Sequence, residues 1–207
     1  FIFALGYKAD YIKEYFLNYY LHNNDVVINL KDGSFSYMAQ QEDWKVTLID
    51  SGIKANTGGR LLSVAPYIGS DKTFLMTYCD GVSNVDINNM IEFHNKYDKY
   101  ATCLAVNSPS KFGAISIIED GLVDYFAEKT KDKVLINGGF FVLQTEVLKY
   151  IKDINTSWEF DVLPKLVEEQ QLMAYKYNGF WKSMDSLKDK IELDELWNSG
   201  KAPWKVW

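Results

Sequence analysis

The chain has 207 residues, of which 47% are hydrophobic and 24% charged, as in an ordinary globular protein with one substantial core. The net charge of −6 argues against a nucleic-acid partner. No stretch reaches about 18 uninterrupted apolar residues, and the first residues lack the basic start of a signal peptide, so neither a membrane span nor secretion is expected.

The first third of the chain predicts strands around one helix. Residues 1–5 form an apolar strand with no methionine before it, so we expect further structure upstream of Phe1. A helix from about Asp10 carries Ile12, Tyr15, Phe16 and Tyr19 on one face. From residue 25 to residue 50 the pattern is typical of strands, with a turn at residues 31–34.

One arginine stands out in the next segment. Of the 22 basic residues only Arg60 is an arginine, and it follows Thr57, Gly58 and Gly59. Its rigid guanidinium suits two-point hydrogen bonding that lysine would not reproduce. Compositional drift would explain the excess of lysines, but it does not explain why the single arginine follows two glycines. We expect the two glycines to form a turn, followed by a helix over residues 61–68.

The centre of the chain is an apolar strand over residues 73–80 that ends in Asp80 and Gly81. Open α/β sheets place their ligands just beyond the carboxyl ends of such strands. Asp80 is then a natural ligand for a hard divalent cation, and Gly81 lets a ligand approach the backbone. The alternative is that Asp80 only caps the helix that follows.

The second half alternates strands and helices. Ser83 or Asn84 is expected to cap a helix with a regular apolar face, in which His94 is expected to be a packing or surface residue. Strands are predicted over residues 101–106, 114–118, 122–127 and 134–143, with a hairpin at Asp120 and Gly121. This order indicates a mixed α/β sheet in a single domain. Cys79 and Cys103 lie within predicted strands and are expected to be reduced core thiols of a cytoplasmic protein.

Polar groups recur at the ends of these elements. Glu128 and Lys129 close the hairpin, Asn137, Gly138 and Gly139 interrupt a strand, and Trp181 to Asp185 precede the last helix. Adjacent glycines inside a strand are tolerated where the backbone bulges or a ligand lies against it. For Asp185 alone, capping of the last helix is the alternative. Together these residues are the set that a phosphoryl or nucleotidyl transfer site needs.

Several segments together resemble one family. They lie in order over nearly the whole chain, at residues 57–60, 74–87, 111–114, 136–143, 179–190 and 196–207. The chain is similar to the sugar nucleotidyltransferases, and among them to the glucose-1-phosphate cytidylyltransferases. The resemblance implies a Rossmann-like, mostly parallel mixed sheet over residues 1–207 that lacks the family's N-terminal glycine-rich loop, without which activity would be nearly lost.

The resemblance also implies site residues. Asp80 and Asp185 would hold Mg²⁺, Lys129 would meet the acceptor phosphate, and Asn137 with Gly138 would contact the hexose. We assign Lys129 and Arg60 as catalytic and add further substrate-binding residues: Thr57, Gly58, Gly59, Gly81, Glu128 and Trp181. The implied reaction joins CTP and a sugar 1-phosphate, here glucose 1-phosphate, to give CDP-glucose for cell-surface polysaccharide synthesis.

Three departures from the family's pattern leave the acceptor open. Cys79 stands where glycine is expected, Lys111 where arginine is usual, and Thr130 where proline is usual. Two alternatives therefore remain: an active enzyme with another phosphorylated acceptor, and an inactive relative that binds sugar phosphate. The tail gathers Trp197, Pro203, Trp204 and Trp207, which fits either packing on its own domain or an interface of the homo-oligomer that the resemblance implies.

Overall fold

The structure, a computed structural model, describes residues 1–38, 42–107, 114–118, 121–127 and 135–207. Its contacts divide the chain into two compact units. Unit 1 contains residues 1–69 and 151–158, and unit 2 contains residues 70–150 and 159–207. The assignment of residues 1–207 to one domain stays a prediction. No helix among the described residues is long and apolar enough to cross a membrane.

Unit 1 is built around a parallel strand pair. Its elements are β1 Ile2–Leu5, α1 Ala9–Leu17, α2 Tyr19–Asn23, β2 Asp25–Ile28, β3 Phe35–Met38, β4 Thr47–Asp50, α3 Thr57–Val64 and the 3₁₀ turn Ala65–Tyr67. β1 pairs in parallel with β4, and β2 pairs antiparallel with β3. The predicted turn between β2 and β3 is confirmed, with Gly33 at φ 72° and Asp32 accepting hydrogen bonds from Ser34.

The predicted turn at Gly58 and Gly59 is wrong. Helix α3 begins at Thr57, capped by the side chain of Asn56, so both glycines lie in its first turn. A Cβ on Gly58 would lie 2.7 Å from the carbonyl oxygen of Thr156, and one on Gly59 would lie 2.5 Å from the Cα of Ile154. The glycines therefore let this helix pack directly on neighbouring backbone, a close approach that the one-dimensional pattern does not reveal.

Unit 2 is built on a six-stranded sheet. Its strands run in the order β11 Leu172–Tyr177, β7 Ala101–Asn107, β10 Leu135–Gln144, β8 Ala114–Ile117 and β9 Val123–Ala127, and β5 Thr73–Thr77 also pairs with β10. The α/β class and the mixed sheet are confirmed. Where the sequence predicted mostly parallel pairing, β10 is antiparallel to β5, β7 and β8, and only β7 and β11 pair in parallel among the described strands of this sheet. The β8–β9 hairpin is confirmed.

A short ribbon changes how the first helix of unit 2 begins. Gly81–Ser83 forms β6, which pairs antiparallel with β12 at Trp181–Ser183. Helix α4, Ile87–Tyr97, therefore starts later and is capped by Asp86, so the predicted caps Ser83 and Asn84 are wrong. The remaining elements are the 3₁₀ helix Thr145–Tyr150, the π-helix Trp158–Val162, α5 Leu163–Glu168 and α6 Leu187–Asn198.

The core of unit 2 lies between the sheet and α4. Buried members are Val85, Met90, Leu104, Val106, Ile136 and Val142. His94 is also buried, and its Nδ1 lies 2.9 Å from Thr102 Oγ1, which confirms a packing role. Burial raises the pKa of the Cys103 thiol to about 12, as expected for a core thiol. Cys79 is exposed after the end of β5, so its prediction as a core thiol is wrong.

Candidate functional site

The β6–β12 ribbon brings two carboxylates to the same end of unit 2. Asp80 directly precedes β6, and Asp185 lies two residues beyond β12. Because Gly81 pairs with Ser183, the backbone N–H of Met184 donates to the carbonyl oxygen of Asp80 at 2.8 Å. The two side chains interact: desolvation, and then the charge of Asp185, raise the pKa of the Asp80 carboxyl. Two aspartates from distant parts of the sequence thus form one acidic pair.

Neither aspartate has the capping role that the sequence left open. Asp80 is followed by a strand, and α6 is capped by Ser186, whose side chain forms a capping box with Asp189. Asp185 instead accepts a hydrogen bond from the Ser183 hydroxyl at 2.9 Å. Both carboxylates are exposed and are therefore available to a ligand.

The chemistry of this pair fits a hard cation. Mg²⁺ is typically held by one or two protein carboxylates together with water and substrate phosphates. Among the described residues, no cluster of three or more histidine, cysteine, aspartate or glutamate side chains could hold a metal ion by itself. The acidic pair therefore matches a cation that is completed by a phosphorylated substrate, and it does not resemble a closed all-protein metal cage.

A bulge in β10 forms the second part of the site. Asn137 pairs with Ala105 and Phe141 with Cys103, so four residue steps on β10 face two on β7. Gly138 and Gly139 lie in this bulge, and Gly139 has a φ of 75° that favours glycine. The prediction that these glycines interrupt the strand is confirmed.

Trp181 connects the ribbon to the bulge. Its indole Nε1 donates to the carbonyl oxygen of Gly138 at 2.8 Å. A Cβ on Gly81 would lie 3.5 Å from the same nitrogen and 3.8 Å from that carbonyl oxygen. The structure therefore brings together five residues that the sequence had proposed separately: Asp80, Gly81, Gly138, Trp181 and Asp185.

Sequence reasoning missed a hydrogen-bonded network behind Asn137. The Asn137 side chain donates through Nδ2 to the hydroxyl of Tyr78 at 3.3 Å, and its Oδ1 accepts from the backbone N–H of Gly139 at 2.9 Å. Burial of Tyr78, together with the nearby Glu159 carboxylate, raises the pKa of its hydroxyl well above the usual range. Glu159 is 81 residues away from Tyr78 in a π-helix, and no sequence signal pointed to it.

The remaining predicted residues belong to unit 1 or lie outside the described residues. Thr57, Gly58, Gly59 and Arg60 belong to unit 1, where Arg60 donates to the Ser51 hydroxyl at 2.8 Å. Its guanidinium carbon lies close to Gly6, at 2.7 Å from where a Cβ would be. Lys129 and Glu128, and likewise Lys111 and Thr130, lie outside the described residues.

Cys79, which stands where the resemblance places a glycine, has a backbone conformation that favours glycine. Its φ is 67°, in the left-handed region that a non-glycine residue rarely adopts. Glycine would adopt this conformation without strain, so the departure at this position places a side chain beside Asp80 on a backbone that suits glycine.

The C-terminal tail is divided between packing and exposure. Trp204 stacks on Phe180, with ring centroids 5.6 Å apart. Trp207 is 79% exposed and Trp197 is 48% exposed with the Lys205 ammonium over its ring. Part of the tail therefore packs on its own unit, and an interface formed by the rest stays a prediction.

Comparison with known proteins identifies the class. The nucleotidyl transferase family matches residues 17–196, and the chain belongs to this family. It is 46% identical over 209 aligned positions to glucose-1-phosphate cytidylyltransferase of Salmonella typhi, covering all of this chain and 81% of that protein. A probable glucose-1-phosphate cytidylyltransferase of Bacillus subtilis is 40% identical, again over all of this chain and 81% of the relative.

Solved structures agree on the fold. HddC from Yersinia pseudotuberculosis, in a complex with GMP-PN, superposes with a TM-score of 0.71 at 22% identity, covering 95% of this chain and 77% of that chain. A putative glucose-1-phosphate thymidylyltransferase from Bacillus anthracis superposes with a TM-score of 0.61 at 18% identity, covering 76% and 65% of the two chains. The architecture is therefore that of sugar nucleotidyltransferases.

Proposed function

We propose that this protein joins CTP and glucose 1-phosphate to give CDP-glucose and pyrophosphate. The CDP-glucose would be a precursor of cell-surface polysaccharide. The observation that carries the proposal is the acidic pair Asp80 and Asp185, held beside the glycine bulge by the β6–β12 ribbon. The 46% identity to a glucose-1-phosphate cytidylyltransferase over the whole chain supports both substrates. The choice of CTP over other nucleotides rests on that similarity alone.

Asp80 and Asp185 would hold Mg²⁺. The bound ion would neutralise charge on the triphosphate and help to orient it. The chain's own contribution is to keep both carboxylates at one end of the ribbon through the Met184 N–H and the Ser183 hydroxyl. This arrangement agrees with a site that a phosphorylated substrate completes.

The chemical step needs no side-chain base. A phosphate monoester has its second pKa at about 6, so the sugar phosphate is largely ionised at neutral pH. Its oxygen attacks the α-phosphorus of CTP, the new P–O bond forms in line with the bond that breaks, and pyrophosphate leaves with the electron pair. Catalysis then rests on positioning and on charge neutralisation, to which Lys129 and Arg60 would contribute.

The two substrates would meet different parts of the site. Asn137 and the backbone of Gly138 would contact the hexose, and Trp181 would line the same wall because it is bonded to Gly138. Gly81 would let a phosphate approach the backbone beside Asp80. Thr57, Gly58, Gly59 and Glu128 stay proposed substrate contacts, and for the two glycines the packing of α3 already gives a structural reason. A homo-oligomer and a cytoplasmic location also stay proposals.

Replacing each carboxylate in the complete protein tests the proposal. Asp80→Asn and Asp185→Asn should each lower the rate of pyrophosphate release by orders of magnitude across a Mg²⁺ titration, because a charged metal ligand is lost. Asp86→Asn is the matched control, since Asp86 caps α4 and asparagine caps a helix equally well. Near-wild-type rates in either of the first two variants would remove that residue from the proposed metal site. A wild type that prefers another sugar phosphate would change the acceptor while keeping the chemistry.

A further inference from the structure

We propose that Tyr78 and Glu159 are positioning residues that fix the side-chain amide of Asn137 for recognition of the acceptor sugar. This inference rests on the proposed function, because it concerns the residue assigned to the hexose. Tyr78, Asn137 and Glu159 all lie within unit 2. Neither residue is expected to touch a substrate; both act through Asn137.

The first step is that both ends of the Asn137 amide are engaged. Its Oδ1 accepts the backbone N–H of Gly139 at 2.9 Å, and its Nδ2 donates to the Tyr78 hydroxyl at 3.3 Å. An asparagine amide has two donor hydrogens and an oxygen with two lone pairs. One hydrogen of Nδ2 and one lone pair of Oδ1 are left for a ligand.

The second step concerns the direction of the hydrogen bonds that run from Asn137 through Tyr78 towards Glu159. The Glu159 carboxylate lies close enough to the Tyr78 hydroxyl to raise its pKa, and a carboxylate only accepts hydrogen bonds, so we expect the hydroxyl proton to point towards Glu159. The phenol oxygen must then accept from Asn137, and only the Nδ2 end of the amide can donate. Glu159 thereby favours, without touching Asn137, the same amide orientation that the Gly139 N–H requires.

The third step is that the backbone of Tyr78 is joined to the bulge that carries Asn137. The backbone N–H of Tyr78 donates to the carbonyl oxygen of Gly139 at 3.1 Å, which ties the end of β5 to the bulge. A Cβ on Gly139 would lie 3.0 Å from the Tyr78 ring, so the ring fits closely against this glycine. Glu159 is followed by the fully buried Val162 and Leu163, and π-helical turns of this kind are frequent at functional sites.

The fixed amide would recognise a sugar hydroxyl by its position and by which of its groups donates and which accepts a hydrogen bond. A hydroxyl that donates to Oδ1 and accepts from Nδ2 is satisfied only when the two ends of the amide face the correct way. When the amide is free to rotate, a fraction of molecules presents the wrong group, and binding of the sugar weakens. Nucleotide binding should not depend on this orientation.

Steady-state kinetics of the complete protein test the inference. Tyr78→Phe should raise the KM for glucose 1-phosphate by about threefold to tenfold, the effect of one hydrogen bond, while the KM for CTP changes by less than about twofold. Glu159→Ala should act in the same way, and Glu159→Gln, which retains an acceptor oxygen, should recover most of the loss. Tyr150→Phe and Glu169→Gln form the matched control, because they alter a similar tyrosine–glutamate hydrogen bond elsewhere in unit 2.

A double-variant cycle shows whether Tyr78 acts through Asn137. In an Asn137→Ala background, Tyr78→Phe should change the acceptor KM by less than about twofold, because no amide is left to orient. The inference is overturned if the two effects multiply, or if Tyr78→Phe raises both KM values equally. If Tyr78→Phe unfolds the protein, Glu159→Ala against Glu159→Gln decides, since equal losses in those two also overturn it. Turnover by the wild type reports separately on the proposed function, and the same ratios can be measured with whichever sugar phosphate it accepts.

Discussion

Substitution of Gly59 by alanine separates a packing role for the Thr57-Gly58-Gly59-Arg60 segment from a role in ligand binding. Gly59 lies in the first turn of α3, where alanine would ordinarily stabilise the helix by about 1 kcal/mol. Here the added Cβ would overlap the carbonyl oxygen of Ile154 and lie 2.5 Å from its Cα. These are backbone atoms, so no side-chain rotation relieves the clash. Overpacking of this kind typically costs about 1–3 kcal/mol, and a clash with backbone falls at the upper end.

We therefore expect Gly59→Ala to destabilise the protein by about 2 kcal/mol after the gain in helix propensity is subtracted. For a chain of this size that corresponds to a fall in Tm of about 4–8 °C. Differential scanning calorimetry measures it, with Gly69→Ala as the control. Gly69 has a φ of 78° but nothing within 4 Å of an added Cβ, so only a backbone cost of about 1 kcal/mol is expected there. A Tm for Gly59→Ala at or above that of the wild type would refute the packing explanation.

Two further predictions concern the acceptor and pH. Lys129→Ala should weaken the use of glucose 1-phosphate by about 2–5 kcal/mol while CTP kinetics stay nearly unchanged, because a charge-assisted contact to phosphate is lost; an unchanged acceptor kcat/KM would remove the residue from the site. Burial lowers the pKa of His94, with Lys72 acting in the same direction and Asp98 against it. The unfolded chain binds a proton at this histidine near pH 6.5, whereas the folded protein resists it, so stability is full above about pH 6.5 and falls as the pH drops below it. Urea denaturation between pH 5 and 8 measures this, and a His94→Gln variant with an unchanged pH dependence would contradict it.

Several local features could be predicted from the sequence because their causes are local. The β8–β9 hairpin follows from an Asp-Gly pair between apolar runs, and the interruption of β10 follows from adjacent glycines within a strand. Asp80 is a ligand candidate because it follows an extended segment, whereas Asp185 becomes one through the resemblance to the sugar nucleotidyltransferases. At each of these positions the residue type restricts what the backbone can do, whatever the rest of the chain does.

Other features depended on pairing between distant segments. The sequence placed the start of α4 too early because β6 exists only through its ladder with β12, about 100 residues later. The capping alternatives for the two aspartates stayed open for the same reason. The sequence predicts a turn at the two glycines of α3 because no neighbouring residue in the sequence indicates that the backbone of Ile154 and Thr156 lies against this helix.

By itself the sequence determined the α/β class, the positions of most strands and helices, and the residue types available for nucleotidyl transfer. These follow from hydrophobic periodicity and from glycine and aspartate chemistry, which act over a few residues. Only the tertiary structure decided that Asp80 and Asp185 share one electrostatic environment, and that Glu159 lies near Tyr78, whose hydroxyl accepts a hydrogen bond from Asn137. Such contacts arise from folding of the whole unit, and in one sequence no pattern records which distant residues the folded backbone brings together.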